Sequence, residues 1–336
     1  MYSLLRALLF HLDPETAHQF TLQLLRIGGI EPLYSILRSI YSVPSKPVQA
    51  FGLTFKNPVG VAAGYDKNAI AIKGLSALGF GHVEVGTVTP KPQAGNPRPR
   101  VFRLLEDEAV INRMGFPSDG ENLVVHELKR LNVRMLRRGN IMLGINLGKN
   151  KDTPIENAAE DYISLMKTFA PFANYLTINI SSPNTIGLRR LQRREMLENL
   201  LSEVDLKRET WNLKLPILVK ISPDLTNEEL DDAVGVILDK GMDGIIATNT
   251  TLARAGLKSK HKNESGGLSG SPLRVRSETV LSQVVKRVNG RIPIVSVGGI
   301  MNPDDAKKRL EMGATLIQLY TGLIYQGPGL VKQILR

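Results

Sequence analysis

From residue 59 onward, short apolar runs alternate with stretches in which apolar residues recur three and four positions apart. The runs are VGVAAG (59–64), HVEVGTVT (82–89), IMLGINLG (141–148), YLTINIS (175–181), PILVKISP (216–223), GIIATNT (244–250), IPIVSVGG (292–299) and TLIQLYTG (315–322). Each is nearly continuously apolar, as strands covered on both faces are. Between them, NAIAIKGLSALG, ENLVVHELKRL, PIENAAEDYISLMKTF and TNEELDDAVGVILDKG carry the period of amphipathic helices. Asn68, Asp119 and Asn302 stand where helix N-caps are expected, Thr226 and Glu229 have capping-box spacing, and Gly241 and Gly313 stand at C-caps. Eight strands, each followed by a helix, predict an α/β fold of the (β/α)8 or TIM-barrel type rather than an open sheet.

Residues 1–45 precede the first of these strands. LLRALLFHL puts Leu4, Leu5, Leu8, Leu9 and Leu12 on one helical face, Asp13 and Pro14 read as N-cap and first helical residue, and PLYSILRSIY continues the pattern to Tyr41. The expected division is therefore a helical extension over 1–45 and a barrel over 46–336. The extension either packs on the barrel or offers its apolar stripe to a membrane surface or an apolar tail. Two connections, Pro90–Asp119 and Leu252–Ser271, exceed structural need. Both follow strands, so both fall at the C-terminal mouth, as lids, binding loops or disordered segments.

Composition narrows the chemistry. With 336 residues, 42% hydrophobic and 22% charged, the chain has ample material for one large core. Its 43 Lys+Arg against 32 Asp+Glu give +11, which suits anionic small ligands, an anionic membrane or nucleic acid, or is a basic surface without a partner. The charge is dispersed, with local clusters at Lys91–Arg103, Arg189–Arg194 and Lys258–Lys262, and no tract reads as a nucleic-acid arm. The absence of cysteine excludes disulfides, thiolate-held zinc or iron–sulfur clusters and thiol catalysis. No run reaches the roughly 18 apolar residues that span a bilayer. MYSLLRALLFHLDPE lacks the flanks of a signal peptide, so an intracellular protein is expected, and the NIS and NTT glycosylation patterns are discounted.

In a packed barrel, strand C-termini point to the mouth. These ends carry Lys67, Thr87, Asn146, Asn179 with Ser181 and Ser182, Lys220, Thr248 with Asn249, Gly298-Gly299, and Tyr320-Thr321. Polar or glycine chemistry at every end predicts an active site there. VGGI after the seventh strand and YTG after the eighth suit an anion held by backbone N–H groups. Lys220 can offset negative charge on a bound cofactor, or act as a Schiff-base nucleophile. Asn112, Asn146, Asn179, Asn184 and Asn249 suit the reading of ring carbonyl and N–H edges, since each offers a donor and an acceptor. GINLGKN falls one residue short of a phosphate-binding loop, no GxGxxG follows a strand, and the five His show no metal-ligand spacing, so no metal is expected. His11 and His18 read as surface or packing residues. The stretch NISSPNTIGLRR (179–190) leaves open which of its polar residues is chemical.

AAGYDK, EVGTVTPKPQAGNPRPRVFRL, INRMGF, GINLGKN, INISSPNT, VKISPD, IATNTT, GGLSGSPL and VGGI, in this order along essentially the whole chain, resemble the dihydroorotate dehydrogenase family. The N-terminal helices, and Ser182 where class 1 members carry Cys, resemble class 2, the quinone-dependent, membrane-associated form. The resemblance implies FMN as cofactor and oxidation of dihydroorotate to orotate in de novo pyrimidine (UMP) synthesis, with Ser182 removing the C5 proton and the C6 hydride passing to the flavin. It implies cofactor contacts at Ala63, Gly64, Tyr65, Asp66, Lys67, Thr87, Asn146, Asn179, Lys220, Thr248, Gly270, Gly299, Tyr320 and Thr321. Substrate contacts are implied at Lys67, Asn112, Arg113, Met114, Gly115, Phe116, Asn179, Asn184, Asn249 and Thr250. A serine is a poor base at neutral pH, so help is expected from Thr185 or a water and from a dry site.

The further implications are a ubiquinone- or menaquinone-type acceptor entering between the N-terminal helices and peripheral attachment to the inner face of the cell membrane. Neither nucleic acid nor an iron–sulfur subunit is implied. Pro117 and Ile186 depart from the family's usual Asn and Pro. The alternatives are a class 1-like oxidase, a dihydrouridine synthase (which uses a Cys this chain lacks), a barrel aldolase built on Lys220, and a basic nucleic-acid binder without catalysis.

Overall fold

The computed structural model describes residues 2–132 and 141–336; Met1, the first residue of the expected helical extension, and residues 133–140 of the expected barrel lie outside the described residues. The chain begins with helices α1 (Tyr2–His11), α2 (Pro14–Gly28) and α3 (Leu33–Ile40), then an antiparallel ribbon, β1 (Val48–Ala50) and β2 (Leu53–Phe55). There follow β3 (Val59–Val61), α4 (Ile72–Ala77), β4 (His82–Val88), β5 (Val101–Leu104), β6 (Ala109–Asn112), α5 (Gly120–Arg130) and β7 (Met142–Leu147). Next come α6 (Ala158–Phe169), β8 (Tyr175–Asn179), α7 (Arg194–Thr210), β9 (Ile217–Ile221), α8 (Asn227–Asp239) and β10 (Gly244–Ala247). The chain finishes with β11 (Gly267–Gly270), α9 (Arg274–Val288), β12 (Ile294–Val297), α10 (Pro303–Glu311), β13 (Leu316–Leu319), α11 (Thr321–Gln326) and α12 (Leu330–Leu335).

The apolar runs become the staves of a closed parallel barrel in the order β10-β12-β13-β3-β4-β7-β8-β9. All eight expected runs contribute a strand, and the fold is the expected TIM barrel. Val59, Val61, Val85, Ile145, Ile178, Val219 and Ile245 are buried against the surrounding helices in one continuous core. That two-sided burial is why the strands read as apolar runs rather than alternating ones.

Helix ends follow short polar contacts. Thr226 and Glu229 form the capping box that opens α8, and Asn302 accepts from the Asp305 N–H at 2.9 Å to open α10. Gly241 and Gly313 follow their helices with positive φ. Asn68, in contrast, caps nothing. The Asp66 carboxylate takes the Ile70 and Ala71 N–H groups at 3.0 and 2.8 Å, and Asn68 donates to Asp119 at 2.6 Å. A charged acceptor outcompetes a neutral amide for orphan N–H groups. Asp119 stands at the N-cap of α5 without a side-chain cap bond; Ser118 Oγ accepts from the Gly120 N–H instead, at 3.2 Å.

The two long connections are ordered structures rather than structureless loops. β5, β6 and β11 pair into a three-stranded antiparallel sheet over the mouth, with Asn112 opposite both Val101 and Gly267. Their backbone polar groups thereby find partners that an excursion without pairing would lack.

The N-terminal helices do pack on the barrel, but incompletely. Leu9, Ala17 and Leu22 are buried, and α2 lies so close to α4 that a Cβ on Gly74 would collide with the Leu25 carbonyl. Leu4 (74% exposed), Leu5, Leu8, Phe20, Leu24, Ile27, Ile36 and Ile40 remain in solvent. Among the described residues, no helix is long and apolar enough to cross a membrane.

The anchor is ionic. Glu15 takes Arg100 through both carboxylate oxygens, at 2.7 and 3.1 Å, and Arg98 at 3.0 Å. Burial pushes the Glu15 carboxyl up, but the two arginines outweigh it and hold it below its ordinary value. The ion pair therefore stabilises helix docking at neutral pH, and that contribution is lost as pH falls through the depressed pKa. Glu15→Gln, which strands a buried guanidinium, is expected to cost roughly 3 kcal/mol in urea unfolding at neutral pH. The deficit should vanish at acid pH; a pH-independent difference would contradict this role.

Candidate functional site

A cleft opens at the C-terminal ends of the strands, beneath the three-stranded sheet. Ala63, Gly64 and Lys67 reach it from the turn after β3, Thr87 from β4, and Asn179 from the end of β8. Lys220 comes from β9, Thr248, Asn249 and Thr250 from just beyond β10, and Gly299, Tyr320 and Thr321 from the ends of β12 and β13. The covering sheet and its flank add Asn112, Met114, Gly115, Phe116 and Gly270, and the loop after β8 adds Ser182 and Asn184. The structure thus gathers nearly all the expected site residues.

Four expected residues lie off the cleft wall. Asp66 is buried as the N–H acceptor ahead of α4, and Arg113 pairs with Glu264 at 2.6 Å. Tyr65 faces the other way, edge-on to His18 with ring centroids 5.1 Å apart. Asn146 sits beneath the floor, fully buried. Residues that the sequence reading passed over also line the cleft, among them Ser269, Leu273 and Gln318. Below them lies Glu84, 0% exposed inside the barrel. Its one signal was a charge inside an otherwise apolar run, HVEVGTVT.

Along and just beneath the floor runs a chain of amides. Asn146 donates to Glu84 at 2.8 Å, while its carbonyl oxygen accepts from Thr87 Oγ1 at 2.6 Å and Asn179 Nδ2 at 3.0 Å. Asn179 Oδ1 accepts from Ser181 Oγ at 3.1 Å and Asn249 Nδ2 at 3.3 Å. Ser181 also accepts from Asn249 at 2.9 Å, so its hydroxyl is used up in structure. Two cations face this floor. Burial lowers the Lys220 ammonium below its ordinary value, opposed by the charge of Glu84. Burial lowers Lys67 to about 8; Glu15 opposes that, Arg100 adds to it and Asp66 opposes it. Lys67 donates to the Gly64 carbonyl at 2.5 Å.

At the other end the wall is backbone. Gly298 and Gly299 have φ of 113° and 73°, and Arg309, buried beneath, donates to the Gly298 carbonyl at 2.9 Å. A Cβ on Gly270 would press on Ala109 Cα at 2.8 Å and Thr321 Cγ2 at 2.9 Å. Glycines here keep the backbone close to whatever fills the cleft. This end, with the amide floor and Lys220, fits a phosphorylated, planar, edge-polar cofactor such as FMN: an anion at the glycines, ring edges at the amides, a cation for negative charge.

Ser182, 5% exposed, accepts the Asn184 N–H at 3.2 Å. Thr185 Oγ1 and Thr250 Oγ1 are buried without a hydrogen-bond partner. Phe116, at φ 54°, puts an aromatic ring in the wall, and Pro117 lines it too. Gln93 Nε2 donates to the Phe116 carbonyl at 2.8 Å, so a side chain steadies the turn at Pro117. Ile186 is 89% exposed and does not line the cleft.

A second cavity runs between α1, α2 and the barrel, lined by Leu9, Phe10, Ala17, His18, Thr21, Tyr65, Val110, Leu323 and Ile324, with Arg103 and Glu15. It shares Asn112, Met114 and Tyr320 with the first. Burial lowers His18 to about 3, so it is neutral there. His18 is therefore a packing residue of this passage, and His11 is exposed.

The family model for dihydroorotate dehydrogenase matches residues 46–336. The chain is 49% identical to the dihydroorotate dehydrogenase (quinone) of Christiangramia forsetii, over 99% of this chain and 96% of the relative. It is 47% identical to the protein of the same name from Cronobacter sakazakii, over 99% and 98%. A crystal structure of DHODH from Eimeria tenella in complex with ferulenol superposes with a TM-score of 0.88 at 41% identity, covering 96% of this chain and 89% of that one.

The loop after β8 is held by Arg189, which donates to the Ser181 carbonyl at 3.0 Å, the Thr250 carbonyl at 2.9 Å and Asp224 at 2.8 Å. Arg189→Met is expected to speed tryptic cleavage at the exposed Arg190 and Arg193 roughly tenfold, with little change in global melting. An unchanged cleavage rate would show that Arg189 does not hold the loop.

Proposed function

The chain belongs to the dihydroorotate dehydrogenase family, and on that premise we propose that it oxidises dihydroorotate to orotate with FMN and passes the electrons to a ubiquinone- or menaquinone-type quinone. It is an oxidoreductase of the quinone type in pyrimidine biosynthesis. One observation carries the reading furthest: the amide-floored cleft and the apolar passage beneath the N-terminal helices share Asn112, Met114 and Tyr320. A polar substrate and an apolar acceptor can thus approach a common centre from opposite sides.

We assign residues 46–336 to the FMN-binding catalytic barrel and residues 1–45 to a quinone- and membrane-binding extension. Gly270, Gly299 and Thr321 would hold the phosphate; Ala63, Gly64, Thr87, Asn179, Lys220, Thr248 and Tyr320 would surround the ring system, with Asn146 supporting them from below. FMN, when bound, supplies the two-electron acceptor for substrate hydride and the donor for the quinone. Lys67 pairs with the substrate carboxylate, Asn112, Asn179, Asn184 and Asn249 read the pyrimidine edges, and Thr250 lies beside them. Met114, Gly115 and Phe116 close the wall and exclude water.

Ser182 takes the C5 proton. The Asn184 N–H that donates to its Oγ steadies the negative charge that develops there. Thr185, buried with an unpartnered hydroxyl in the same loop, is the group we assign to take the serine proton across an intervening water and to release its own to solvent. The exposed leucines and isoleucines of α1–α3 suit the headgroup region of a bilayer, consistent with peripheral attachment at the inner face of the cell membrane.

Ser182→Ala is expected to lower kcat for dihydroorotate oxidation by about 10²–10⁴ while FMN content and orotate affinity persist. If Ser181→Ala were the crippling change and Ser182→Ala mild, the assignment of the base would be wrong. Lys67 is cationic below its pKa of about 8, so attraction for the carboxylate is complete below that pH and lost above it. kcat/KM should therefore fall on the alkaline side with a midpoint near 8, through KM more than kcat. A profile flat from about pH 7 to about pH 10 would show that Lys67 does not titrate near 8, and a Lys67→Met variant with unchanged KM would exclude Lys67 as the carboxylate partner.

A further inference from the structure

The asparagines at the mouth can each present a donor or an acceptor, and an amide turned by 180° costs almost nothing by itself. Something must choose. Glu84 is a group in the barrel interior that cannot be turned, because a carboxylate only accepts. It collects donors on both oxygens: Asn146 Nδ2 at 2.8 Å on one; Gln318 Nε2 at 2.8 Å, Tyr175 OH at 3.1 Å and Thr177 Oγ1 at 3.3 Å on the other. Asn146 must then face Glu84 with its NH₂ and the mouth with its carbonyl. That carbonyl obliges Thr87 and Asn179 to donate, at 2.6 and 3.0 Å. Asn179 in turn shows its own carbonyl to Asn249 and Ser181.

We propose that Glu84 is the positioning residue that sets the donor–acceptor polarity of Asn146, Thr87, Asn179 and Asn249, and through them the pattern of ring edges the cleft accepts. Glu84 reaches no ligand itself; it lies outside the cleft lining, with Asn146 between it and the floor. This rests on the assignment of the cleft to FMN and dihydroorotate or orotate. The physical root is the cost of a buried polar group facing its own kind, which exceeds the gain from a satisfied pair. One fixed acceptor therefore propagates its sense along the whole amide chain.

Exchanging the pair tests this. Asn146→Asp alone sets two carboxylates face to face and should weaken orotate binding, read as the perturbation of bound-flavin absorbance, by roughly tenfold or more. Adding Glu84→Gln rebuilds every pair: the new amide donates to residue 146, whose other oxygen still accepts from Thr87 and Asn179. The double variant should regain wild-type affinity to within about threefold. A double variant that binds no better than Asn146→Asp, or does not fold, overturns the proposal. Neutron diffraction from deuterated wild-type protein gives a second reading, with deuterons expected on Asn146 Nδ2 facing Glu84 and none on Glu84. Deuterons on the opposite side of Asn146 would overturn it equally. Failure of the wild-type protein to bind FMN and orotate would sink the functional reading instead.

Discussion

A carboxylate enclosed by a parallel barrel must be met by donors on all sides or it will not be tolerated, and the centre of this molecule is arranged around that demand. Glu84 is fully buried and satisfied from β7, β8 and β13, three different staves of the barrel. The strands that satisfy it are those whose next residues toward the mouth form the cleft floor. Closing the barrel and orienting the site are therefore one event: a slip in register that unpaired Glu84 would also scatter Asn146, Asn179 and Lys220. The register Asn179 to Lys220 across β8 and β9 keeps the amide and the ammonium side by side.

The same logic of buried charge joins the helical extension to the barrel. Glu15 on α2 meets Arg98 and Arg100, which come from the connection ahead of β5 in the covering sheet. Arg100 also holds the carbonyls of Ala94 and Asn96 at 2.6 and 2.9 Å, so one ion pair ties the N-terminal helices to the segment that bounds the site. Packing alone leaves the outer face of these helices uncovered. A charged clasp inside thus holds helices whose outer apolar residues stay in solvent.

Much of this was legible in the sequence. Two-sided burial gives continuous apolar runs, so all eight staves could be counted, and the polar strand ends could be assigned to a common mouth because parallel strands share a direction. What stayed hidden depends on pairing over distance. The excursions after the second and sixth barrel strands are remote in sequence, and no local pattern announces that Gly267 will sit opposite Asn112. Asp66 and Arg113 share motifs with cleft residues, yet a helix end and Glu264 claim them. Motif membership cannot separate residues that touch a ligand from residues that hold the loop. Glu84 carried a signal, a charge in an apolar run, but its meaning required four partners from three other strands.

The most direct test of the central claim is anaerobic titration of the FMN-loaded protein with dihydroorotate, followed by a soluble quinone. Dihydroorotate is expected to bleach the flavin in proportion to the orotate formed, and the quinone to restore its colour. A protein that binds no FMN, or whose bound flavin stays oxidised with dihydroorotate in excess, would contradict that claim.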